Sequence, residues 1–579
     1  MFLIAITKKP IQVKLDNTKY KIKHIIVNQL SATIATDNFL SQYFTDTNGF
    51  SIIESPLVNR PNVRDIILSE IIFDKEENKL SISANTYSGR PIYYHLNTNG
   101  EFYCSTHISM LKAAGISLEE NTSVLPEFFT YQFVIPPKTL FKNINRLSFG
   151  AKLYIGITGD RCTIESEKRY DPFSIKSMNY KKSDPIEKIV NQTYADILHS
   201  VNRLGPLSDR LAVLLSGGLD SSILFNICKN IFGINESYST SYPFEDQTDD
   251  KEKYYALSAA EAFGSDHYFY KSDNNEFLFG FLEAISIVEE PIIWPQEVLF
   301  YLLYKNGITG NKDIMVCGQG AETAFGNSEL NHIYRLSKHR ELYKLLSLYP
   351  LFSLVKAASK ITKRGHGFVK RIKKVNNIYK PLEDPDNIIY SIYRRNKDWV
   401  CKYLNVSIKD INASRYELLK LLNNNSICDK LSVLYINDEL ISTSNWSKIC
   451  EFNSKIIYYP FLDLKLLNNA FSINWAVKLK HPKNVLQGVA RDLYIPEFII
   501  KRKKIGIAVQ NKQWITALNP LIALASKCFD KNIITDFQSK GSHPHWMFWI
   551  ILNYAIWKRL FIDNESLDTL REELSKALR

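Results

Sequence analysis

Hydrophobic residues in the first 165 positions fall in short runs, each cut off by a cluster of turn formers. In VRDIILSEIIFDKEENKLSISANTYSGRPIYYHLNTNGEFYCSTHISMLKAAG the runs stop at EEN, SGRP and NTNG, the punctuation of a β-meander. TLFKNINRLSFGAKLYIGI predicts two further strands about Gly150. The opening MFLIAITKKP has too short an apolar run and no basic lead-in for a signal peptide, so it is expected to form a first strand. Residues 166–190 are polar and proline-containing and read as a linker.

Beyond about residue 190 the pattern changes. IEKIVNQTYADILHSVNRL reads as a helix, LAVLL as a buried strand, SSILFNICKNI as a helix and ESYSTSY as a strand. KEKYYALSAAEAFG then reads as a helix, DHYFYK as a strand whose end His267 marks, and NKDIMVCGQG as a strand running into glycines. Strands and helices in alternation, with glycines at strand ends, predict a parallel α/β sheet. The chain from about 330 to 579 reads as mostly helical. The expected division is a β-rich domain over 1–165, the linker, and a second domain over 191–579.

Composition narrows this picture a little. A chain of 579 residues is too long for one core, and at about 150 residues per domain two to four domains are expected. Hydrophobic content of 45% with 23% charged residues belongs to a folded protein rather than a disordered one. The eight cysteines (104, 162, 228, 317, 401, 428, 450 and 528) form no CxxC pair and do not cluster with histidines. That argues against a zinc or iron–sulfur site and fits free thiols in a reducing cytoplasm. No apolar run approaches the ~18 residues of a membrane span, and a cytoplasmic location is expected.

The net charge of +12 favours a polyanionic partner without choosing one; no nucleic-acid motif accompanies it. Part of it lies between Glu341 and Glu383, where Lys356, Lys360, Lys363, Arg364, Lys370, Arg371, Lys373 and Lys374 accumulate with no acidic residue between. A solvated basic insertion (about 342–382) and a docking site for an acidic partner are both open readings.

The chemistry is concentrated in LAVLLSGGLDSSILF, residues 211–225. A strand, a glycine turn and a helix place free backbone N–H groups and the positive end of a helix dipole at one spot, which suits phosphate. Gly217 and Gly218 let the backbone approach the anion, and Ser216, Ser221 and Ser222 add hydroxyl donors. Asp220 would repel a phosphate unless a cation stood between them, and Mg²⁺ is the usual bridge. The GxxxxGK[ST] lysine is missing, so a γ-phosphate-transferring loop is disfavoured. The acidic run Asp246, Asp249, Asp250 and Glu252 reads as a helix N-terminus, with a second cation site as the alternative.

SGGxDS resembles the pyrophosphate loop of ATP pyrophosphatases, which cleave ATP between the α and β phosphates and adenylate a substrate. Among the families sharing it, the chain is similar to the asparagine synthetase (class B) family over both domains. CGQGAETAFG (317–326) resembles that family's glycine–acid–glycine–small–Asp–Glu–x–x–Phe–Gly signature, and YYPFLDLKLLNNAF (458–471) its Pro-Phe-Leu-Asp element. KNVLQ (from Lys483) and IPEFIIKRKKIGIAV (495–509) resemble its Lys-x-x-Leu and Arg-x-Lys-x-Gly elements, and YSGRPIYY its glutaminase domain. The resemblance implies an Ntn-type glutaminase-like sandwich followed by a parallel-sheet ATP-pyrophosphatase domain with helical additions.

It also implies ATP contacts from Leu214, Ser216, Gly217, Gly218, Asp220 and Ser221, adenine contacts near Thr240, Ser241 and Gly318, and Mg²⁺ on Asp220 and Glu322. Lys483 is implied at the departing pyrophosphate, and Lys504 (with Lys503 as rival) at the acyl carbon. The departures are as informative. Where the family has a catalytic cysteine this chain has Phe2, which should retain Met1, and its first cysteine is Cys104. Gln319 replaces the signature's first acid, Glu322 its aspartate, and Ile456 a glutamate four residues before Pro460. A kept ATP face with lost glutaminase chemistry resembles the β-lactam synthetase and lasso peptide cyclase branches. The expected function is an ATP-dependent amide ligase, lasso-cyclase-like, with a precursor peptide and leader-binding or protease proteins as partners. An ammonia-using asparagine synthetase and an inactive synthetase-like binding protein are the alternatives.

Overall fold

The computed structural model describes residues 1–16, 18–37, 39–56, 66–171, 180, 184–242, 251–306, 310, 312–338, 397–420, 426–502, 516–530, 533–534 and 544–579. The N-terminal half is two antiparallel sheets face to face. One contains β1 (Phe2–Thr7), β2 (Tyr20–Val27), β3 (Leu30–Asp37), β8 (Tyr93–Leu96), β9 (Phe102–Ser105) and β10 (Asn145–Arg146), ordered β10-β8-β9-β1-β3-β2. The other contains β4 (Ser41–Asp46), β5 (Gly49–Glu54), β6 (Ser69–Asp74), β7 (Lys79–Ala84), β11 (Lys152–Thr158) and β12 (Arg161–Lys168), ordered β12-β11-β7-β6-β5-β4.

Period-two alternation explains the sandwich. Phe2, Ile4 and Ile6 point into the inter-sheet core with Ile71, Leu80, Ile82 and Leu153. Leu3 and Ala5 point the other way, into the larger core that continues through the C-terminal half. Every residue of β1 is therefore buried, as its unbroken apolar run anticipates.

The C-terminal half is built on a parallel sheet of β13 (Leu211–Leu214), β14 (Glu236–Ser241), β15 (Asp266–Lys271), β16 (Ile314–Val316) and β17 (Ile456–Tyr458), ordered β15-β14-β13-β16-β17. Four of these strands are those expected from sequence. The fifth, β17, lies in the region read as helical. Three residues, Ile-Ile-Tyr, are too few to show a period, and only pairing with β16 makes them a strand. Strand order reverses between β13 and β16, which opens the crevice at their C-terminal ends where such sheets bind ligands. The helices beyond 330 include Ile427–Phe452 and the apolar Pro544–Phe561, whose Trp549 and Trp557 are fully buried. Among the described residues, no helix is long and apolar enough to cross a membrane.

Candidate functional site

At the end of β13 the backbone of Leu215 is still in the sheet, its N–H donating to Tyr238 O at 2.9 Å. The chain then turns through Ser216, Gly217 and Gly218 into helix α1 (Leu219–Phe232). Gly217 is left-handed, φ +69°, and a Cβ there would lie 2.1 Å from the Tyr255 carbonyl oxygen. Glycine is required on both counts, and it lets the turn rest against helix α2 (Lys251–Phe263). The serines stabilise the turn from within. Ser216 N–H donates to Ser221 Oγ at 3.3 Å, the two hydroxyls are 3.2 Å apart, and Ser221 Oγ donates to Gly218 O at 3.2 Å.

The neighbouring strand β16 runs into Cys317–Gly320 and the short helix α3 (Ala321–Phe325). The two loops touch: a Cβ on Gly318 would lie 3.1 Å from Ser221 N and 3.2 Å from Asp220 Cβ. Gly320, φ +93°, packs on Leu462 of the Pro-Phe-Leu-Asp element, whose Asp463 caps the next helix through Lys465 N and Leu466 N. Asp220 and Glu322, one in the first turn of each helix, converge on a single cation. That cation is Lys483, whose Nζ pairs with Asp220 Oδ2 and lies 3.3 Å from Glu322 Oε1. Burial alone would lower the lysine's pKa; the two carboxylates outweigh it and hold it raised.

The same donors suit Mg²⁺. Asp220 Oδ1 is buried and accepts no hydrogen bond among the described residues. Two hard carboxylates, with phosphate oxygens and water completing the shell, are the usual protein share of a magnesium site. Among the described residues no group of three or more His, Cys, Asp or Glu side chains could hold a metal.

Leu214, Thr240 and Ser241 lie at the C-terminal ends of β13 and β14, on the same edge of the sheet as Ser216 and Gly318. Leu214 and Ser241 are buried, and Thr240 Oγ1 is a buried hydroxyl without a hydrogen-bond partner among the described residues. Gln319 sits half-buried in the second loop and Ile456 is buried in β17, so neither place carries a carboxylate. Lys503, Lys504, Gly506, Asp246, Asp249, Asp250 and the basic stretch from Lys356 to Lys374 lie outside the described residues.

His267 does not end its strand; it is the second residue of β15. Its ring lies between Ser237 Oγ (2.7 Å) and Ser239 Oγ (2.8 Å), and burial lowers its pKa to about 4. It is a neutral cross-strand bridge, set there by parallel pairing that a single strand's pattern does not reveal. Glu252 is in the first turn of α2 as expected, but it also pairs with Arg502 at 2.8 Å.

Two residues escaped the sequence reading. Arg502 opens the Arg-x-Lys-x-Gly element, in which only lysines drew attention, and its Nη1 donates to Ser216 O at 2.7 Å. Lys478 is fully buried, donates to Ala324 O at 3.0 Å and lies 4.2 Å from the centre of the Trp475 ring. Nothing in its local sequence distinguishes it from a surface lysine.

In the N-terminal half Phe2 is fully buried in the sandwich, and Cys104 is fully buried in β9 with its thiol pushed far up by burial. Arg90 of the SGRP segment pairs with Glu54 at 2.7 Å and with Glu451 of the C-terminal half.

A family model described as asparagine synthase matches residues 197–577, and one described as glutamine amidotransferase domain matches residues 67–170. The chain is 22% identical over 530 residues to "Asparagine synthetase [glutamine-hydrolyzing] 1" of Bacillus subtilis (strain 168), covering 87% of this chain and 78% of that protein. It is 23% identical over 282 residues to "Putative asparagine synthetase [glutamine-hydrolyzing] 2" of Methanocaldococcus jannaschii, 48% of this chain and 52% of that one. It is 24% identical over 223 residues to "Microcin J25-processing protein McjC" of Escherichia coli, 38% and 39% of the two chains.

Proposed function

The chain belongs to the asparagine synthase family of ATP-dependent amidating enzymes, and from that premise we propose that it closes a lasso-type macrolactam, joining a peptide side-chain carboxylate to the peptide's own α-amine. One observation carries this reading: an ATP loop kept intact beside a glutaminase-like domain whose position 2 is the buried Phe2. With Phe2 offering no thiolate nucleophile, this reading takes the amine from a source other than glutamine. The similarity to the microcin J25-processing protein supports a peptide as its source.

In this reading the turn at Ser216, Gly217, Gly218 and Ser221 cradles the phosphates of ATP, with the adenine side at Leu214, Thr240, Ser241 and Gly318. Asp220 and Glu322 would hold Mg²⁺, which would supply positive charge to offset that of the polyphosphate. A substrate carboxylate oxygen attacks the α-phosphorus; pyrophosphate leaves and an acyl-adenylate remains. Lys483, paired with Asp220 and Glu322, is assigned the neutralising of the departing pyrophosphate. Lys504, with Lys503 as rival, stabilises negative charge at the acyl carbon as the amine attacks and AMP leaves. The chain works in the cytoplasm, with leader-binding or protease proteins supplying the peptide.

The test is incubation with MgATP and a candidate precursor peptide. Pyrophosphate release and a peptide lighter by one water are expected, and Asp220→Asn is expected to abolish both. A second reading, ammonia-dependent asparagine synthesis, is favoured by the match to the Bacillus subtilis enzyme over 87% of the chain. Asparagine formed from aspartate and ammonium, with no turnover of any peptide, would select it. Pyrophosphate release with neither substrate set would leave a synthetase-like binding protein.

A further inference from the structure

Arg502 belongs to no role assigned so far, yet it is one of the most constrained side chains at the site. Only 7% of it is exposed. One arm of its guanidinium donates to Ser216 O at 2.7 Å and another to Glu252 Oε1 at 2.8 Å. The planar group lies 4.3 Å from the centre of the Tyr255 ring. Tyr255 is the same residue whose backbone carbonyl forbids a side chain at Gly217. Arg502, Glu252 and Tyr255 thus form a bracket around the Ser216–Gly217 peptide, with two of the three supplied by α2 and one by the segment leading to Lys503 and Lys504.

The orientation of that peptide matters. In a planar trans peptide the carbonyl and the following N–H point in opposite directions. Holding the Ser216 carbonyl against the guanidinium therefore turns the Gly217 N–H to the opposite side. Backbone N–H groups of such a glycine turn are what an anion meets. The fork geometry of arginine allows one residue to hold the carbonyl and be held by a carboxylate at once, which a lysine's single ammonium on a flexible stem does poorly.

Resting on the nucleotide-site reading above, we propose that Arg502, braced by Glu252, is a positioning residue that fixes the phosphate-binding turn in its anion-accepting orientation. It acts through Ser216 and touches no reacting atom.

The experiment measures binding of MgATP and of magnesium pyrophosphate by calorimetry to wild type, Arg502→Lys and Glu252→Ala, with melting temperatures for each. Loss of one charge-assisted hydrogen bond predicts about tenfold weaker binding of both ligands to Arg502→Lys, although its charge is kept. Glu252→Ala, altered at a partly exposed side chain remote from the ligand, is expected to weaken both severalfold, with melting temperatures of both variants near wild type. Wild-type affinity in both variants would overturn the assignment. A loss of binding that tracks a large fall in melting temperature would overturn it too, making the bracket a support of the fold. A wild-type chain that binds neither ligand would instead overturn the nucleotide-site reading itself.

Discussion

Gly217 and Lys478 show how single residues carry the site. At Gly217 a left-handed backbone and the Tyr255 carbonyl 2.1 Å from any Cβ leave no room for alanine. Gly217→Ala is expected to cost at least ~1–2 kcal/mol from the backbone alone and to displace the turn, read as a lower melting temperature and lost MgATP binding. Lys478 holds the carbonyl of Ala324 at the end of α3, and burial lowers its pKa to about 7, against the ordinary 10.5. Between those values the unfolded chain binds a proton that the folded chain does not, so this residue makes stability rise with pH from about 7 towards 10.5. Below pH 7 both states are charged and the full burial penalty applies. Lys478→Met removes that dependence. The melting temperature of wild type relative to Lys478→Met is therefore expected to increase from pH 7 to pH 9.5, and a flat difference would reject the buried neutral amine.

The elements meet through caps and close glycine contacts. Asp463 ends the Pro-Phe-Leu-Asp element, caps the helix Leu464–Ser472 and pairs with Arg203 at 3.0 Å. The neighbouring Leu462 lies under Gly320, so the cap also sets the loop that leads to Glu322. Asp463→Ala is expected to cost about 1–3 kcal/mol, the cap together with a lost ion pair at a buried carboxylate, measured by chemical denaturation. The expected accompaniment is weaker binding of MgATP, because Glu322 loses its support. β13 and β16 were legible as short apolar runs, and β14 and β15 as short segments set between helical patterns. β17 was not, because three residues hold no period and pairing with β16 alone defines them.

Across the whole molecule the glutaminase-like half is a fixed part of the site's frame. Thr86 Oγ1 donates to Leu462 O, Tyr459 N donates to Tyr87 O at 2.9 Å, and Arg90 joins Glu54 to Glu451. Arg90 is buried and its two carboxylates hold its pKa raised against the burial that opposes it. Arg90→Met takes the guanidinium from both acids, leaving them the Met1 ammonium at 3.2 Å from Glu54 and 3.0 Å from Glu451, and is expected to cost about 3 kcal/mol, seen as an earlier denaturant midpoint in both halves. Unfolding of one half alone would show that the contact does not couple them. By itself the sequence determined four of the five parallel strands, the glycine turn and the types of the candidate acids Asp220 and Glu322, because each is a local pattern of residue types. Only the tertiary structure decided that Lys483 stands between Asp220 and Glu322, that Arg502 braces Ser216, and that Lys478 is buried. Those partners lie from 154 to 286 residues apart in the chain, and a charge declares its partner only once folding has excluded water from between them.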